Sequence, residues 1–227
     1  MTIQVKRLVS LSLAASLAVA TLYLSTPRLV SSLSYIPVDA ALERHWEDYP
    51  IKQTQFPVLI EIAEKAIQKL DLAHYWQGLG WLYSLQVNPL NRDTPEGKKL
   101  LSQSQIAFET SLRKSPANPA SWLRLAWIHA FLQHDTRFIV KTLKMSFYTG
   151  RAEHHLILNR LNLALRYTNY FEEDDLPLIR DQIQLAWRLF QARMLELIIS
   201  GTFDKTTLLK LLADSHPELA MEMQNKL

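Results

Sequence analysis

The sequence predicts an all-α protein, built of antiparallel helical hairpins behind an N-terminal membrane segment. From about residue 56 onward, apolar residues recur with the 3.6-residue period of a helix, and no long stretch alternates with the period of a strand. The chain of 227 residues has only 5 glycines, and its 10 prolines fall mostly between the periodic segments. A tryptophan pattern also occurs twice, at Trp76 and at Trp122, which indicates that one hairpin follows another.

The N-terminal segment has the pattern of a secretory signal. Lys6 and Arg7 precede an uncharged run over residues 8–24. A signal peptidase could cut after the small residues Ala18 and Ala20, or the segment could remain as an anchor. We expect the anchor, because the apolar run continues past Ala20 and is just long enough to cross a bilayer. The two basic residues favour a cytoplasmic N-terminus, so the rest of the chain is predicted to be periplasmic, tethered to a bacterial inner membrane.

The chain is predicted to have three parts. Residues 1–24 are the signal anchor or signal peptide. Residues 25–54 are predicted to be a tether, punctuated by three prolines. Residues 55–227 are predicted to form the helical domain, which is long enough for one core or a short repeat array.

The helices of the domain follow from periodicity and from the residues at their ends. They are predicted at 57–70, over Trp76 to Leu85, at 94–114, around Trp122 and Trp127, at 135–148, at 152–169, after the acidic run 172–175, at 204–213 and at 217–225. Asp71, Thr94 and Asn118 are candidate N-caps, and Ser215 with Glu218 has the spacing of a capping box. The helix after the acidic run is predicted to be the longest and to end at Gly201, with the acidic residues at its positive end.

The two tryptophan patterns resemble the tetratricopeptide repeat, a hairpin of 34 residues formed by helices A and B. The first consists of Trp76, Leu79, Gly80 and Tyr83, and the second of Trp122, Leu125, Ala126 and His129. Phe108 and Pro116 match positions of helix B and of the turn that follows it. Trp76 and Trp122 are 46 residues apart, so we place an insertion of 12 residues in the loop between helices A and B of the first hairpin. Gly80 is expected to let helix B approach helix A closely, and His129 to pack with its polar tip exposed.

Five residues are candidates for binding a partner. Trp81 and Trp127 follow the two pattern tryptophans by five residues, at positions that line the concave surface in the repeat family. His74, Gln77 and Arg124 occupy neighbouring positions of the same type. An aromatic groove could hold an extended peptide or the apolar face of a sugar, whereas the alternative is that both tryptophans only pack between helices.

The sequence offers no constellation that predicts catalysis, a metal or a cofactor. The chain has no cysteine, and it has no H-E-x-x-H, G-x-S-x-G or glycine-rich phosphate loop. His154 and His155 are adjacent, so on a helix their side chains point about 100° apart and share a metal poorly. The net charge of +3 comes without a long basic stripe, which argues against a nucleic-acid partner. We therefore expect no enzyme activity.

The C-terminal half carries a family resemblance. Thr149 and Gly150, then Arg160 and Leu161, and later the segment 185–188 (Leu-Ala-Trp-Arg) resemble VpsP-like proteins, which are small bacterial proteins with a membrane segment and a tetratricopeptide-like domain that are associated with exopolysaccharide production. The resemblance covers residues 55–227 and the anchor, and it supplies no catalytic residues. It implies a role beside the machinery that polymerises, ligates or exports glycan, with envelope proteins as partners. An interaction module of another envelope complex, such as a pilus or secretion apparatus, is the alternative, and a glycan-active enzyme is a third.

Overall fold

The fold is all-helical in the computed structural model, which describes the backbone of residues 3–213 and 215–227 and the side chains from residue 11 onward within that range. The described residues form ten α-helices and no strand, which confirms the all-α part of the predicted fold class. The helices are α1 (Ile3–Trp46), α2 (Phe56–Lys69), α3 (Ala73–Leu85), α4 (Pro95–Lys114), α5 (Pro119–Phe131), α6 (Thr136–Thr149), α7 (Ile157–Arg166), α8 (Leu176–Ile199), α9 (Lys205–Ala213) and α10 (Pro217–Lys226).

The first helix differs most from expectation. The sequence predicted a tether over residues 25–54, but α1 continues unbroken to Trp46, through two prolines. With 44 residues α1 is longer than α8, which was predicted to be the longest helix and has 24. The second half of α1 packs on α2 and α3, with Tyr35 and Val38 almost fully buried. That burial compensates for the helix-breaking cost of the prolines, so residues 31–46 belong with the helical domain.

The first half of α1 is the part of the chain suited to a membrane. From residue 11 to residue 30 every side chain is exposed. Within the described residues, one stretch of helix, Leu11–Trp46, is long and apolar enough to cross a bilayer. A signal sequence near an N-terminus passes the same test, so this feature is compatible with single-pass anchoring without locating the membrane.

Helices α2 to α6 each pack against the helix that follows, and the pairs α3–α4 and α5–α6 are in the most extensive contact. Two predicted N-caps are confirmed: the Thr94 hydroxyl accepts from the Gly97 N–H at 3.1 Å, and the Asn118 side-chain carbonyl accepts from the Ser121 N–H at 3.0 Å. The Asp71 cap is wrong. Its carboxylate instead accepts from the Trp76 indole and from Lys114, and α3 begins without a side-chain cap.

The C-terminal helices have most of the predicted bounds, but one predicted helix is shorter and one predicted capping box is wrong. The helix predicted at 152–169 is shorter, because 3₁₀ turns replace both of its ends. The Ser215–Glu218 capping box does not form, since His216 takes the N-cap position of α10 with no side-chain cap. The acidic run lies in a turn before α8, and that helix is bent at Phe190, where φ is −137° and ψ is 37°.

The predicted insertion is shared between a loop and a helix. The loop over residues 86–94 is longer than its counterpart at 132–135, and α4 has 20 residues where α6 has 14. Asn88 and Asn91 stabilise the longer loop, because the side-chain carbonyl of each accepts a backbone N–H within the loop at 2.8 Å.

Candidate ligand cleft between α3, α5 and α7

A cleft of about 840 Å³ opens between α3, α5 and α7, beside the C-terminal end of α1. We call it the tryptophan cleft. It is lined by three tryptophans, one phenylalanine, an arginine, a histidine, three amide side chains and smaller apolar residues: Trp46, Gln77, Trp81, Ala120, Leu123, Arg124, Trp127, Phe131, His155, Leu156, Asn159 and Asn162. Four of the five predicted residues (Gln77, Trp81, Arg124 and Trp127) therefore come together in one place.

Trp81 both packs and lines the cleft, so the two alternatives drawn from the sequence are not exclusive. Its indole meets the ring of Phe108 edge-on, with 5.5 Å between centroids, and meets Trp46 in the same way at 4.7 Å. The residue is half-buried, so part of the ring still faces the cleft. Edge-to-face packing on two sides fixes the ring plane, which suits a ring that a ligand would stack on.

Trp127 is the second half-buried indole of the cleft. It packs against Phe131 with 5.6 Å between ring centroids, and the guanidinium of Arg166 lies 5.4 Å from its centroid. Arg92 lies over Phe131 in the same way at 5.5 Å. A smaller pocket of about 170 Å³ adjoins this side, so arginines and aromatic rings continue beyond the main cleft.

Arg124 is the charged group of the tryptophan cleft. Its guanidinium lies 5.0 Å from the Trp81 ring centroid and donates to the hydroxyl and carbonyl oxygens of Ser84 at 3.2 and 3.4 Å. Burial lowers the pKa of Arg124 to about 10, so the group stays charged at neutral pH. No residue lining the cleft is acidic, and within the described chain Arg124 forms no ion pair. A guanidinium has five N–H donors, and hydrogen bonds to other described residues use two of those of Arg124. The remaining donors are of the kind that hydrogen-bond an anionic group.

Amide side chains supply the remaining polar groups. The Asn162 carbonyl accepts from Arg166 at 2.9 Å, and the Gln77 carbonyl accepts from Asn118 at 3.2 Å. The NH₂ groups of both amides therefore remain available as donors. Sequence reasoning missed Asn159 and Asn162, although their spacing of three residues on α7 places both on one helix face.

His74 does not line the cleft. Its ring faces α1, where Nε2 lies 2.8 Å from a carboxylate oxygen of Asp39, and it packs edge-on against Tyr35. His74 was predicted to line the groove because of its position in the repeat pattern. In the structure α1 covers that end of α3, and Trp46 of α1 lines the cleft instead. The prediction that residues 25–54 form a tether left this contribution of Trp46 unforeseen.

Two pairs of histidines lie close together, one along the chain and one in the fold. His154 and His155 lie in a 3₁₀ turn, and in the described part of the chain no three His, Cys, Asp or Glu side chains are grouped to hold a metal. His129 was expected to keep an exposed tip, but it is buried, and its Nδ1 lies 2.8 Å from Nδ1 of His134.

Comparison with known proteins does not assign the chain to a family. The chain matches no protein-family model, and it matches no curated protein sequence.

Proposed function

We propose that this protein is a membrane-tethered helical-repeat adaptor that faces the periplasm and holds part of an envelope partner in the tryptophan cleft. The VpsP-like resemblance supports partners from exopolysaccharide assembly. The binding role is supported by the position of Arg124. Its charged guanidinium lies on the wall of a large aromatic cleft whose described lining contains no carboxylate. A partner segment with an anionic group and an apolar or ring-shaped neighbour complements that combination.

The anchor is supported by the composition and hydrogen bonding of α1. Between Arg7 and Arg28 the helix carries no charge, and these 20 residues would span about 30 Å, the thickness of a hydrocarbon core. The hydroxyls of Thr21 and Thr26 donate to helix carbonyls four residues back, at 2.8 and 2.6 Å. Such internal bonds let hydroxyl groups lie in lipid without unpaired donors. Because the uncharged run continues past Ala20 to Pro27, we infer that the segment is retained rather than cleaved.

The repeat arrangement is supported by the pairing of helices. The two tryptophan patterns lie on α3 and α5, and each of these helices packs against the helix that follows it, α4 or α6. Both hairpins present the residue five positions after the pattern tryptophan to the same cleft. A short solenoid of tetratricopeptide type gives this equivalence, because successive hairpins repeat the same inner surface.

Site-specific cross-linking in living cells tests the proposal. A photo-reactive phenylalanine replaces Asn159, which is exposed inside the cleft, and a control replaces Leu90, which is exposed in the α3–α4 loop. We expect position 159 alone to cross-link to a polysaccharide-assembly protein. Adducts with pilins or secretion components would assign the adaptor to another envelope complex, and identical adduct patterns from both positions would contradict cleft binding.

A charge variant separates cleft binding from contact elsewhere. Arg124→Gln keeps the polarity of the side chain and removes its charge, and we expect roughly tenfold weaker cross-linking or more, since hydrogen bonds to charged groups contribute about 1.5–3 kcal/mol. Arg193→Gln is the matched control, because Arg193 is exposed and lines neither pocket. Equal losses in both variants would argue against Arg124 as the anion-binding group.

A further inference from the structure

We propose that the helical domain sits directly on the membrane surface, with the α2–α3 turn in the lipid headgroup layer and Lys69 facing anionic headgroups. This inference rests on the anchor described above. It goes further because it gives the domain a fixed height over the bilayer and assigns a lipid-contacting edge.

The first argument is the lack of any linker between anchor and domain. Arg28 ends the uncharged part of α1, and Ser31 is already fully buried against α2. Three residues of helix rise only about 4.5 Å. Because the helix is continuous there, the domain cannot swing away from the bilayer as it would on a flexible tether.

The second argument is the direction of α2. A short connection joins α1 to α2, and the Ser31 hydroxyl lies 3.5 Å from the Ala66 carbonyl near the end of α2, so the two helices are antiparallel. Lys69 follows Ala66 by three residues and therefore lies about 4.5 Å closer to the membrane. That displacement brings Lys69 to the level of Arg28, where the headgroup layer begins.

The third argument is the charge of this edge. The α4–α5 turn lies on the same edge, because Lys114 donates to Asp71 at 2.5 Å and the Ser111 hydroxyl donates to the Ala73 carbonyl at 2.9 Å. Among residues 68–73 and 111–118, both wholly described, Asp71 is the one acidic residue, against Lys69, Arg113 and Lys114. The Lys114–Asp71 pair leaves Lys69 and Arg113 as the excess positive charge, and a basic edge at headgroup level is attracted to anionic lipid.

The fourth argument is the outer face of α1. Leu29 and Leu33 are 60% and 57% exposed, on the side of the helix opposite the buried Ser31 and Tyr35. Both lie within about 8 Å of Arg28 along the helix. Leucines at this height would be costly in water but are favourable at the boundary between acyl chains and headgroups.

The chain has no cysteine, so single-cysteine variants give unambiguous labels for a test. We would label Gln68→Cys beside the α2–α3 turn, Leu90→Cys at the opposite end of α3, and Val19→Cys within the anchor, each with an environment-sensitive fluorophore. The full chain is reconstituted in phosphatidylcholine vesicles containing about a third phosphatidylglycerol, with a nitroxide quencher on either the headgroup or the acyl chain. We expect the headgroup quencher to act at position 68 and not at position 90, and the acyl-chain quencher to act at position 19.

The outcomes separate this inference from the anchor on which it rests. If position 19 is quenched by acyl-chain nitroxide but position 68 behaves as position 90 does, the domain stands clear of the membrane and the seating is wrong. If position 19 also escapes quenching, the anchor itself is wrong. Leu33→Cys tests the outer face, since disulfide formation between two copies without lipid quenching would assign that face to a second chain and overturn the lipid contact.

A charge reversal tests the role of Lys69. Lys69→Glu is expected to reduce headgroup quenching at position 68 in vesicles with phosphatidylglycerol and to leave it unchanged in pure phosphatidylcholine. Lys99→Glu, on the first turns of α4 at the far end of the domain, is the matched control and should change neither. Equal responses to the two variants would contradict a specific lipid contact by Lys69.

Discussion

Gly80 of α3 lies directly against the ring of Phe108 of α4. A Cβ added to Gly80 would be 2.9 Å from both Cδ2 and Cε2 of that ring, which is closer than side chains pack. The Gly80 carbonyl also accepts from the Ser104 hydroxyl at 2.7 Å, which shows how near the two helices approach. The absence of a side chain at Gly80 therefore sets the spacing of the first hairpin.

Gly80→Ala is expected to lower the free energy of unfolding by about 1–3 kcal/mol, because overpacking outweighs the gain in helix propensity. Thermal unfolding of the full chain in detergent, followed by circular dichroism, measures the change. Adding Phe108→Leu to Gly80→Ala should recover part of the loss by making room. A Gly80→Ala variant more stable than the parent would mean that the ring moves aside freely.

Tyr35 provides a test of α1 as part of the domain. Its ring is buried between α1 and α3, but its hydroxyl has no hydrogen-bond partner among the residues that the structure describes. Tyr35→Phe is therefore expected to stabilise the protein by about 1 kcal/mol, since the unpaired buried hydroxyl is removed. Tyr35→Ala should destabilise it by about 3–5 kcal/mol. Both values come from the same unfolding measurement, and no effect of Tyr35→Ala would mean that α1 does not pack on the domain.

Arg160 is a buried arginine that holds the end of α6. Its Nε donates to the Ser146 hydroxyl at 2.9 Å, Nη2 to the Ser146 carbonyl at 2.7 Å and Nη1 to the Gly150 carbonyl at 2.7 Å. Burial lowers the pKa of Arg160 to about 10. Arg160→Met should destabilise the protein by about 3 kcal/mol, because the carbonyls at the helix end lose their donors.

The neighbouring Arg151 is the control for Arg160. It is exposed and pairs with Asp181, so Arg151→Met should change the free energy of unfolding by less than about 1 kcal/mol. Urea titrations of the two variants under the same conditions give the comparison. Similar midpoints for both would show that the buried guanidinium contributes no more than a surface pair.

The buried His129 predicts a pH dependence of stability. Burial lowers its pKa, the nearby His134 lowers it further, and Glu109 acts in the opposite direction. Because the folded-state pKa lies below the unfolded value of about 6.5, the unfolded chain binds more protons as the pH falls. Stability present at neutral pH is therefore expected to decline from about pH 6.5 down through the folded pKa.

Unfolding measured between pH 7.5 and pH 5 checks this decline. His129→Asn should flatten the profile over that range, whereas His154→Asn, at an exposed position, should leave it unchanged. A profile for His129→Asn as steep as that of the parent would place the titrating group elsewhere.

Local sequence was enough to predict most helices, since their signals lie within a few residues. Thr94 and Asn118 cap the helices that they were expected to begin, because an N-cap needs only its own side chain and the next turn. The close approach at Gly80 was also predictable from the repeat spacing. Residues 25–54 were predicted to be a tether because three prolines punctuate them, and the helix up to Trp46 was missed. Four residues that the structure buries, or nearly so, already had the spacing of a helical face: Ser31, Tyr35, Val38 and Leu42.

The sequence by itself determined the helical class and the uncharged N-terminal stretch. It also identified four residues that line the cleft: Trp81 and Trp127, at equivalent positions on α3 and α5, and their neighbours Gln77 and Arg124. Only the tertiary structure decided that α1 packs on the domain. As a result His74 contacts α1 and does not line the cleft, whereas Trp46 does. The structure also decided that Arg124 lies in a cleft whose described lining has no carboxylate. The physical reason is that periodicity and capping act within one helix. The burial of a charge and the lining of a cleft depend on which distant helices meet, and those contacts form only when the chain folds.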